Sequence, residues 1–279
     1  MIELKKTLRL GSVHLNTKDP ERLRKFYEEL GMRSERDGDV ITLYGGDSAL
    51  VVLHKVDADM RHEVGLYHMA ILLPSRKDLG NFLYHLAKKR IPITGASDHH
   101  VSEAVYLSDP EGNGIEVYQD RDPAKWLVEG VFTMTTEAMD VEGVLGARDE
   151  EDYKGMPVGT TMGHLHLHVL DIEASEDFYK ETLGLESMIS MGSATFTSRD
   201  GYHHHLGMNT WLRGDPKPME DGYPGLRYYT VYLDESVFDE QFPDSAGKAY
   251  TDLRDPNNIL LRTFRGLNVS EELAVISSS

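Results

Sequence analysis

Two stretches of the chain repeat the same order of polar and apolar positions. Residues 11–31 and 163–184 each begin with an alternating run, continue into an acidic segment, and end with a Phe-Tyr pair and a Leu-Gly step. Alternation with period two is typical of a strand, and apolar positions three or four apart are typical of a helix. Each stretch therefore predicts a strand followed by a helix, and the recurrence predicts internal repetition of that unit.

A second pair of segments extends the repeat. The runs GLYHMAILLP (65–74) and GLRYYTVYLD (225–234) each predict another opening strand, and the first leads into a helical pattern over 76–90. An Asp-Pro pair at 109–110 recurs at 255–256, ahead of the last strand. Four repeat units result, over roughly 8–54, 65–119, 162–210 and 225–265.

The segment around the first Asp-Pro pair predicts a β-hairpin. The run DPEGNG (109–114) is turn chemistry, because proline presets φ and glycine or asparagine accept positive φ. β-prone residues flank it at 105–107 and 115–118. Glu116 is a lone acid between apolar neighbours, where an ionised carboxylate is costly unless a positive group pairs with it. A metal ion would meet that need.

Composition narrows the classes of function. The formal charge is −18, from 29 basic and 47 acidic residues, so the protein repels polyanions and we expect no nucleic-acid partner. The absence of cysteine excludes disulfides, thiolate ligands and cysteine nucleophiles, so metal chemistry must rest on His, Asp and Glu. The first residues lack an apolar core of signal length, and no apolar run approaches the roughly 20 residues of a membrane span. We therefore expect a cytoplasmic protein without a membrane partner, and a homo-oligomer is compatible with the sequence.

The 279 residues are enough for one large domain or two of ordinary size. We divide the chain into an N-terminal pair of units (1–120), a linker (121–160) and a C-terminal pair of units (161–279). The acidic run at 149–152 predicts a solvated surface in the linker. Residues 136–145 are compatible with either a short helix or a lid, and we expect the tail at 275–279 to be frayed.

The hairpin carries a resemblance to a known family. Residues 99–116 follow the pattern H-x5-V-Y-x2-D-P-x-G-x3-E, where x is any residue. This pattern resembles the signature of extradiol ring-cleaving dioxygenases, in the glyoxalase, bleomycin-resistance and dioxygenase superfamily. The positions that fill it are His99, Tyr106, Asp109, Pro110, Gly112 and Glu116. Ser97 departs from it, since the signature prefers glycine or one of a few other residues there.

The resemblance extends over most of the chain, and within the superfamily the chain looks most similar to bacterial catechol-2,3-dioxygenase-like proteins. It implies an α+β fold in which four βαβββ units form two cup-shaped mixed sheets with the helices outside. It also implies a metal site with three protein ligands. The superfamily's second and third ligand positions fall on His68 and Glu116, and its first-strand ligand precedes the helix Phe by fourteen residues, which from Phe178 selects His164.

Two neighbouring histidines compete with His164. A strand places His164, His166 and His168 on one face, but successive residues on that face lie roughly 6.6 Å apart along the strand. Since each ligand must lie about 2 Å from the ion, all three cannot bind one metal. We interpret His166 and His168 as cavity lining or as partners of the ligands, and a histidine-rich exposed face remains the alternative.

The distribution of ligands predicts how the units pair. The matching positions in the other two units are Ser12, Tyr228 and Leu260, which offer no replacement site. Only pairing of unit two with unit three collects the whole triad, and the superfamily is known to pair its units in either way. We therefore predict the crossed arrangement, with one metal per chain and a second cup that binds none.

Two histidines and one carboxylate suit non-haem Fe(II), which is our first choice of metal, with Mn(II) as runner-up. The resemblance implies an enzyme of aromatic hydrocarbon catabolism, a catechol 2,3-dioxygenase. It would use O2 to open a catechol-like small molecule beside one hydroxyl. The resemblance assigns acid–base chemistry to His204. In the alternative register His205 faces inward instead. Tyr106 and His99 are assigned to hydrogen bonds with the substrate oxygens, and a simple loop role for His99 stays open.

Two other classes of function remain. A glyoxalase-like metal-dependent lyase or thiol transferase would use the same fold with Ni(II) or Zn(II), usually with a fourth protein ligand that we would seek over 202–208. A non-enzymatic ligand-sequestering protein would use the cup without metal. The triad argues against the second class, and the spacing of His99 and Tyr106 argues, less firmly, against the first.

Overall fold

Two mixed β-sheets, of seven and nine strands, form the framework of the molecule. The computed structural model describes residues 6–128, 131–149 and 151–267, so the predicted frayed tail at 275–279 lies outside the described residues. No helix in these ranges is both long and apolar enough to cross a membrane.

The first half of the chain supplies two βαβββ units. The first consists of β1 (Leu8–Thr17), α1 (Pro20–Glu29), β2 (Arg33–Asp37), β3 (Val40–Gly45) and β4 (Ser48–Lys55). The second consists of β5 (Gly65–Leu72), α2 (Arg76–Lys89), β6 (Gly95–Asp98), β7 (Ser102–Ser108) and β8 (Gly114–Asp120). The predicted hairpin is confirmed as β7 and β8, and its turn includes Gly112 at a φ of +91°, a conformation that favours glycine.

The segment that follows is more ordered than a linker needs to be. It contains a 3-10 turn (Pro123–Lys125), β9 (Leu127–Val128), β10 (Val131–Phe132), β11 (Glu137–Ala138) and α3 (Val141–Gly146). β11 adds to the edge of β6, and the acidic residues Asp149 and Asp152 pair with Lys77 and Lys88 on α2. Ion pairs therefore hold the acidic segment, which the sequence predicts to be a solvated surface, against α2. A short helix, α3, does overlap residues 136–145.

The second half supplies the other two units. The third consists of β12 (Thr161–His168), α4 (Ile172–Leu183), β13 (Glu186–Ser190), β14 (Ala194–Ser198) and β15 (Leu206–Asn209). The fourth consists of β16 (Gly225–Leu233), α5 (Glu235–Gln241), a 3-10 turn (Pro243–Ser245), β17 (Tyr250–Arg254) and β18 (Leu260–Arg265). Among the described residues the fourth unit has two strands after its helix instead of three. The intervening run FPDSAGKA (242–249), with its proline, glycine and polar residues, forms a turn at that point.

The sheets join units that are not neighbours in the sequence. The seven-stranded sheet combines units one and four in the order β17-β18-β16-β1-β4-β3-β2. The nine-stranded sheet combines units two and three in the order β11-β6-β7-β8-β5-β12-β15-β14-β13. The predicted crossed pairing is confirmed, since β1 pairs with β16 and β5 with β12. Each sheet therefore draws one unit from 1–120 and one from 161–279.

Neighbouring units are linked by a buried Tyr–Asp hydrogen bond that explains the two repeated motifs. Tyr27, from the first Phe-Tyr pair, donates to the Asp109 carboxylate at 3.1 Å. Tyr179, from the second pair, donates to the Asp255 carboxylate, also at 3.1 Å. Each aspartate also caps its own turn by accepting backbone N–H bonds, as Asp109 does from Glu111 at 2.9 Å. The bonds join unit one to two and unit three to four, across the sheet pairing.

We expect that splitting the chain between residues 150 and 151 gives two halves that do not fold alone. The N-terminal half would lose β16 and β12, which pair with its strands β1 and β5. The C-terminal half would lose β1 and β5 in turn. Circular dichroism during urea titration should show no cooperative transition for either half, and mixing the halves should restore one. A cooperative transition in one isolated half would contradict this prediction.

Candidate metal centre

One face of the nine-stranded sheet lines a cavity of 480 Å³. All six residues that the sequence nominates for the site lie on its wall: His68, His99, Tyr106, Glu116, His164 and His204. They come from units two and three, and the described part of the linker contributes Met134, Thr135 and Thr136. The sequence suggested a short helix or a lid only over 136–145, and no sequence signal pointed to Met134 or Thr135.

The three nominated metal ligands converge on one point. His68 Nε2 and His164 Nε2 each lie 3.2 Å from Glu116 Oε2. The three side chains offer nitrogen and carboxylate oxygen atoms that all lie within 4.8 Å of one another. His164 and Glu116 are buried, and the His68 side chain is 11% exposed, toward the cavity.

Strand register explains the convergence. On the central strand β5, Ala70 pairs with Glu116 of β8 on one side and with His164 of β12 on the other. Paired residues point to the same face of a sheet, so Glu116 and His164 meet above the short alanine side chain. His68 lies two residues from Ala70, on the same face. The site therefore depends on both neighbours of β5.

The charges at this point suit a cation. Burial acts to raise the pKa of Glu116, but the neighbouring imidazoles of His164 and His68 outweigh it and hold that pKa well below its usual value. Burial lowers the pKa of His164 to about 4, against the opposing effect of Glu116. An ionised carboxylate beside a neutral imidazole is the protonation state in which these groups bind a metal.

The residues fit a divalent cation. His68 Nε2 is buried and has no hydrogen bond of good geometry to any described residue, although it points at the Glu116 carboxylate. A buried nitrogen left in this way is costly unless something occupies the space between it and the carboxylate. Two imidazoles and one carboxylate, with no fourth ligand in this group among the described ranges, leave coordination positions open for other molecules.

A second histidine group shares His164. His164, His203 and His204 also bring potential ligand atoms within 4.8 Å of one another. However, the Nδ1 atoms of His203 and His204 lie 2.7 Å apart, which is a hydrogen-bond distance. Two nitrogens that each lie about 2.0–2.1 Å from one ion would be separated by about 3 Å or more. We therefore interpret this group as a hydrogen-bonded pair beside the first site.

His99 and Tyr106 form a hydrogen-bonded pair on the cavity wall. His99 Nδ1 lies 2.7 Å from the backbone carbonyl of Thr135, which can only accept, so Nδ1 carries the proton. His99 Nε2 then accepts from the Tyr106 hydroxyl at 2.6 Å. Burial and the charge of Glu116 raise the pKa of Tyr106, so its hydroxyl stays protonated. The linker thus sets the tautomer of a predicted site residue.

His204 lies on the cavity wall, whereas His203 and His205 point elsewhere. The ring centroid of His204 lies 4.0 Å from that of His164. His205 Nδ1 lies 3.1 Å from the Ser198 hydroxyl, away from the cavity. The last strand of unit three begins only at Leu206, after the three histidines, so the alternation of a strand could not decide which of them faces inward. The sequence favoured His204 by resemblance, and its position agrees with that choice.

Aromatic side chains form a further part of the wall. His166 lies among the rings of Tyr67, Phe196 and Trp211, at centroid distances of 5.0, 5.5 and 5.5 Å. His168 is held by Asn209, with 2.7 Å between His168 Nδ1 and Asn209 Oδ1. Trp211 is 46% exposed and marks the mouth of the cavity. A flat apolar molecule of small size fits such a surface.

The second cup has a different chemistry. Its cavity of 270 Å³ is lined by Tyr228 and Leu260, at two of the positions matched to the ligands. His14 stacks on Tyr228 at a centroid distance of 3.9 Å, and His14 Nδ1 lies 2.9 Å from His54 Nε2. Arg262 also lines this cavity. No group of three potential ligands occurs here among the residues that the structure describes.

Comparison with known proteins agrees with this architecture. Residues 9–117 match the family model described as the Glyoxalase/Bleomycin resistance protein/Dioxygenase superfamily. The chain is 39% identical over 244 residues to a protein of Bacillus subtilis (strain 168) named catechol-2,3-dioxygenase, covering 84% of this chain and 85% of that protein. The chain therefore belongs to the glyoxalase, bleomycin-resistance and dioxygenase superfamily.

Solved structures show the same fold at lower identity. Glyoxalase I from Zea mays superposes with a TM-score of 0.56 at 14% identity, over 96% of both chains. A protein from Bacillus subtilis subsp. subtilis str. 168 gives a TM-score of 0.62 at 14% identity, over 96% of this chain and 88% of the other. At this identity the likeness shows the fold alone, so the function has to be argued from the residues of the site.

We expect His68→Ala, Glu116→Gln and His164→Ala each to weaken metal binding by more than about 100-fold, because the loss of one of three protein ligands exceeds the 10- to 100-fold typical of losing a ligand's partner. Metal analysis after dialysis against Fe(II) or Zn(II) measures this. His166→Ala is the matched control, and it should keep the metal. Retention in His164→Ala together with loss in His166→Ala would show that the fourteen-residue spacing selected the wrong histidine.

We expect about one equivalent of metal per chain, from the single three-ligand set. His14→Ala and His54→Ala, in the second cup, should leave the metal content of the full chain unchanged. The cup has Leu260 at the position matched to Glu116, and the Asp221 carboxylate on its wall pairs with Arg254, so little would offset the dehydration of a divalent cation there. A second equivalent that disappears in either variant would contradict this prediction.

Proposed function

We propose that this protein is an extradiol ring-cleaving dioxygenase that uses Fe(II) and O2 to open a catechol-like molecule, with catechol itself as the first substrate to test. The observation that carries the proposal is the presence, in one cavity, of a group of two histidines and one carboxylate together with the His99–Tyr106 pair and His204. The similarity to a protein named catechol-2,3-dioxygenase supports it. The substrate and O2 would meet inside the cell, in the cytoplasm.

In this proposal His68, Glu116 and His164 hold the metal, and Mn(II) is the runner-up to Fe(II). A ferrous ion there would supply open coordination positions for both catechol oxygens and O2, and a redox level suited to their reaction. Glu116 supplies the one negative charge among the ligands. Neutral imidazoles from His68 and His164 then leave one positive charge to attract a deprotonated catechol oxygen.

The remaining polar residues act on protons. Tyr106 and His99 would hydrogen-bond a substrate oxygen once the bond between them opens, because that bond occupies the Tyr106 hydrogen and the His99 Nε2 lone pair. The Tyr106 hydroxyl, once turned to the substrate, would stabilise the negative charge that develops on that oxygen. His204 lies beside His164, where its imidazole can take a proton from one reacting oxygen and return it to another. The atoms balance without a further reactant, since both atoms of O2 enter the ring-opened hydroxymuconic semialdehyde.

The cavity would hold the aromatic ring between apolar side chains. Phe196 and Tyr67 lie on its wall and Trp211 at its mouth, around the nominated metal ligands. A volume of 480 Å³ accommodates a single aromatic ring with small substituents. The apolar lining also excludes water from a site where charge develops.

The decisive experiment is anaerobic reconstitution with Fe(II), followed by addition of catechol and air. We expect a yellow product whose absorbance grows only when protein, Fe(II), catechol and O2 are all present. Zn(II) reconstitution is the matched control, because Zn(II) binds similar ligands but is not redox-active. Mn(II) reconstitution tests the runner-up metal. Turnover of methylglyoxal and glutathione with Ni(II) or Zn(II), without catechol cleavage, would instead support the glyoxalase-like alternative.

We expect Tyr106→Phe and His204→Ala to retain iron yet lower kcat, by roughly 10²–10⁴-fold for His204→Ala, the range typical of acid–base groups. Neither residue belongs to the ligand triad, so metal content should stay at the wild-type level. Steady-state oxygen consumption and iron analysis on the same samples measure both quantities. Unchanged kcat in both variants would contradict the assigned roles while leaving the metal site in place.

A further inference from the structure

A chain of hydrogen bonds engages one of the two imidazole nitrogens of His204. His204 Nδ1 lies 2.7 Å from His203 Nδ1, and His203 Nε2 lies 2.9 Å from an oxygen of Asp120. His203 is fully buried, whereas the Asp120 side chain is 22% exposed. The chain therefore runs from the cavity wall to a carboxylate at the edge of the solvent.

The chemistry of the groups fixes the direction of each bond. An aspartate carboxylate only accepts, so His203 Nε2 carries a hydrogen, and in the neutral imidazole His203 Nδ1 is then a lone pair. That lone pair accepts a hydrogen from His204 Nδ1, because one of the two Nδ1 atoms must donate. In the neutral imidazole, His204 Nε2 is then left without a hydrogen, as an acceptor for a ligand in the cavity.

Two tyrosines hold the carboxylate in place. Tyr202 donates to the other oxygen of Asp120 at 2.9 Å, and Tyr118 in turn donates to Tyr202, with 2.7 Å between the two hydroxyl oxygens. Both oxygens of Asp120 are therefore engaged by donors. Gly163 makes room for this arrangement, since a Cβ at that position would lie 1.8 Å from the Tyr118 hydroxyl.

We propose that Asp120 and His203 are positioning residues that fix His204 in the tautomer whose Nε2 accepts a hydrogen bond in the cavity. The catalytic consequence rests on the proposed function, which gives His204 its role in proton transfer. The tautomer itself does not depend on that function. A comparable carboxylate–imidazole pair fixes the tautomer of the histidine in serine proteases, where loss of the carboxylate charge leaves the geometry intact but selects the wrong tautomer.

Both nitrogens of the buried His203 are bonded, so that the acceptor and the donor of its imidazole are both satisfied. The two bonds are donated in one direction, from His204 to His203 and from His203 to Asp120. Trp126 packs against His203 at a centroid distance of 5.3 Å and shields it from water. Asp120 follows Glu116 and Tyr118 at alternate positions of β8, so one strand face supplies both a nominated metal ligand and the end of the chain.

The first test measures the tautomers directly and needs no activity. Long-range ¹H–¹⁵N correlation spectra of the full-length protein, labelled at histidine and prepared metal-free and with Zn(II), report which nitrogen of each imidazole carries hydrogen. We expect hydrogen on Nε2 of His203 and on Nδ1 of His204. In Asp120→Asn, whose amide can also donate, we expect a substantial fraction of His204 to carry hydrogen on Nε2. Asp122→Asn removes a nearby charge outside the chain and should leave both signals unchanged.

The second test separates positioning from a general structural effect. With Fe(II), Asp120→Asn should lower kcat by about 10- to 100-fold, the range for loss of a ligand's or base's partner, while KM stays within about twofold. In a His204→Ala background the same substitution should have no further effect on kcat, because it acts only through His204. A destabilised fold would instead lower activity in both backgrounds.

Two results would overturn the proposal: hydrogen on Nε2 of His204 in the wild-type protein, or an equal loss of kcat in both backgrounds. Zn(II)-dependent shifts of both Nδ1 signals at a second equivalent of metal would also overturn it, since those atoms would then be ligands. If the wild-type protein fails to cleave catechol, the proposed function fails, and the spectra still decide whether Asp120 and His203 fix the tautomer.

Discussion

The antiparallel pairing of β5 with β12 is the constraint on which the rest of the structure depends. It joins residues from the two halves of the chain, with His166 opposite His68 and His164 opposite Ala70. Because side chains alternate along a strand, a slip of one residue would turn His164 away from Glu116. The register of β5 with β12 therefore brings the three nominated ligands together. The short side chain of Ala70, which lies between Glu116 and His164, leaves them room to meet.

The charges of the three side chains then determine what this group can bind. Glu116 is buried, and a carboxylate in that position is stable only with partners that offset its lost hydration. Its nearest partners are imidazoles, which burial keeps neutral in the case of His164. The result is a negative charge among neutral donors, which is the arrangement that a divalent cation stabilises further. The cavity is thus specialised although the protein as a whole carries a formal charge of −18.

The two cups show how one architecture supports different chemistries. Both are built from a pair of units, and both contain an inward histidine on the first strand, His166 in one and His14 in the other. In the second cup His14 stacks on Tyr228, where the first cup has His68, and Arg262 lies nearby. The second cup keeps His14 and His54, but Tyr228 and Leu260 stand at the positions of His68 and Glu116. The fold therefore supplies two cavities, and the residues at three positions decide that only one of them suits a metal.

The hydrogen bonds that link His204 through His203 to Asp120 also depend on the tertiary structure. Asp120 and Tyr118 belong to the second unit, and Tyr202, His203 and His204 belong to the third. Their direction of donation follows from a single carboxylate at one end. In the cavity, Thr135 has the equivalent effect on His99 through its backbone carbonyl. Two nominated side chains, His99 and His204, are therefore oriented by hydrogen bonds from other segments of the chain.

The sequence by itself determined the features that depend on local periodicity. Alternation, helix caps and turn residues predicted the repeated strand–helix starts, the helix over Arg76–Lys89 and the hairpin that carries Tyr106 and Glu116. The family resemblance nominated six side chains, and the structure brings all six to one cavity. The tertiary structure alone decided which of His203, His204 and His205 faces inward, that Thr135 reaches the site, and that Asp120 directs the imidazole pair. These contacts join segments far apart in the chain and follow no local period, so their geometry is set only when the two sheets close.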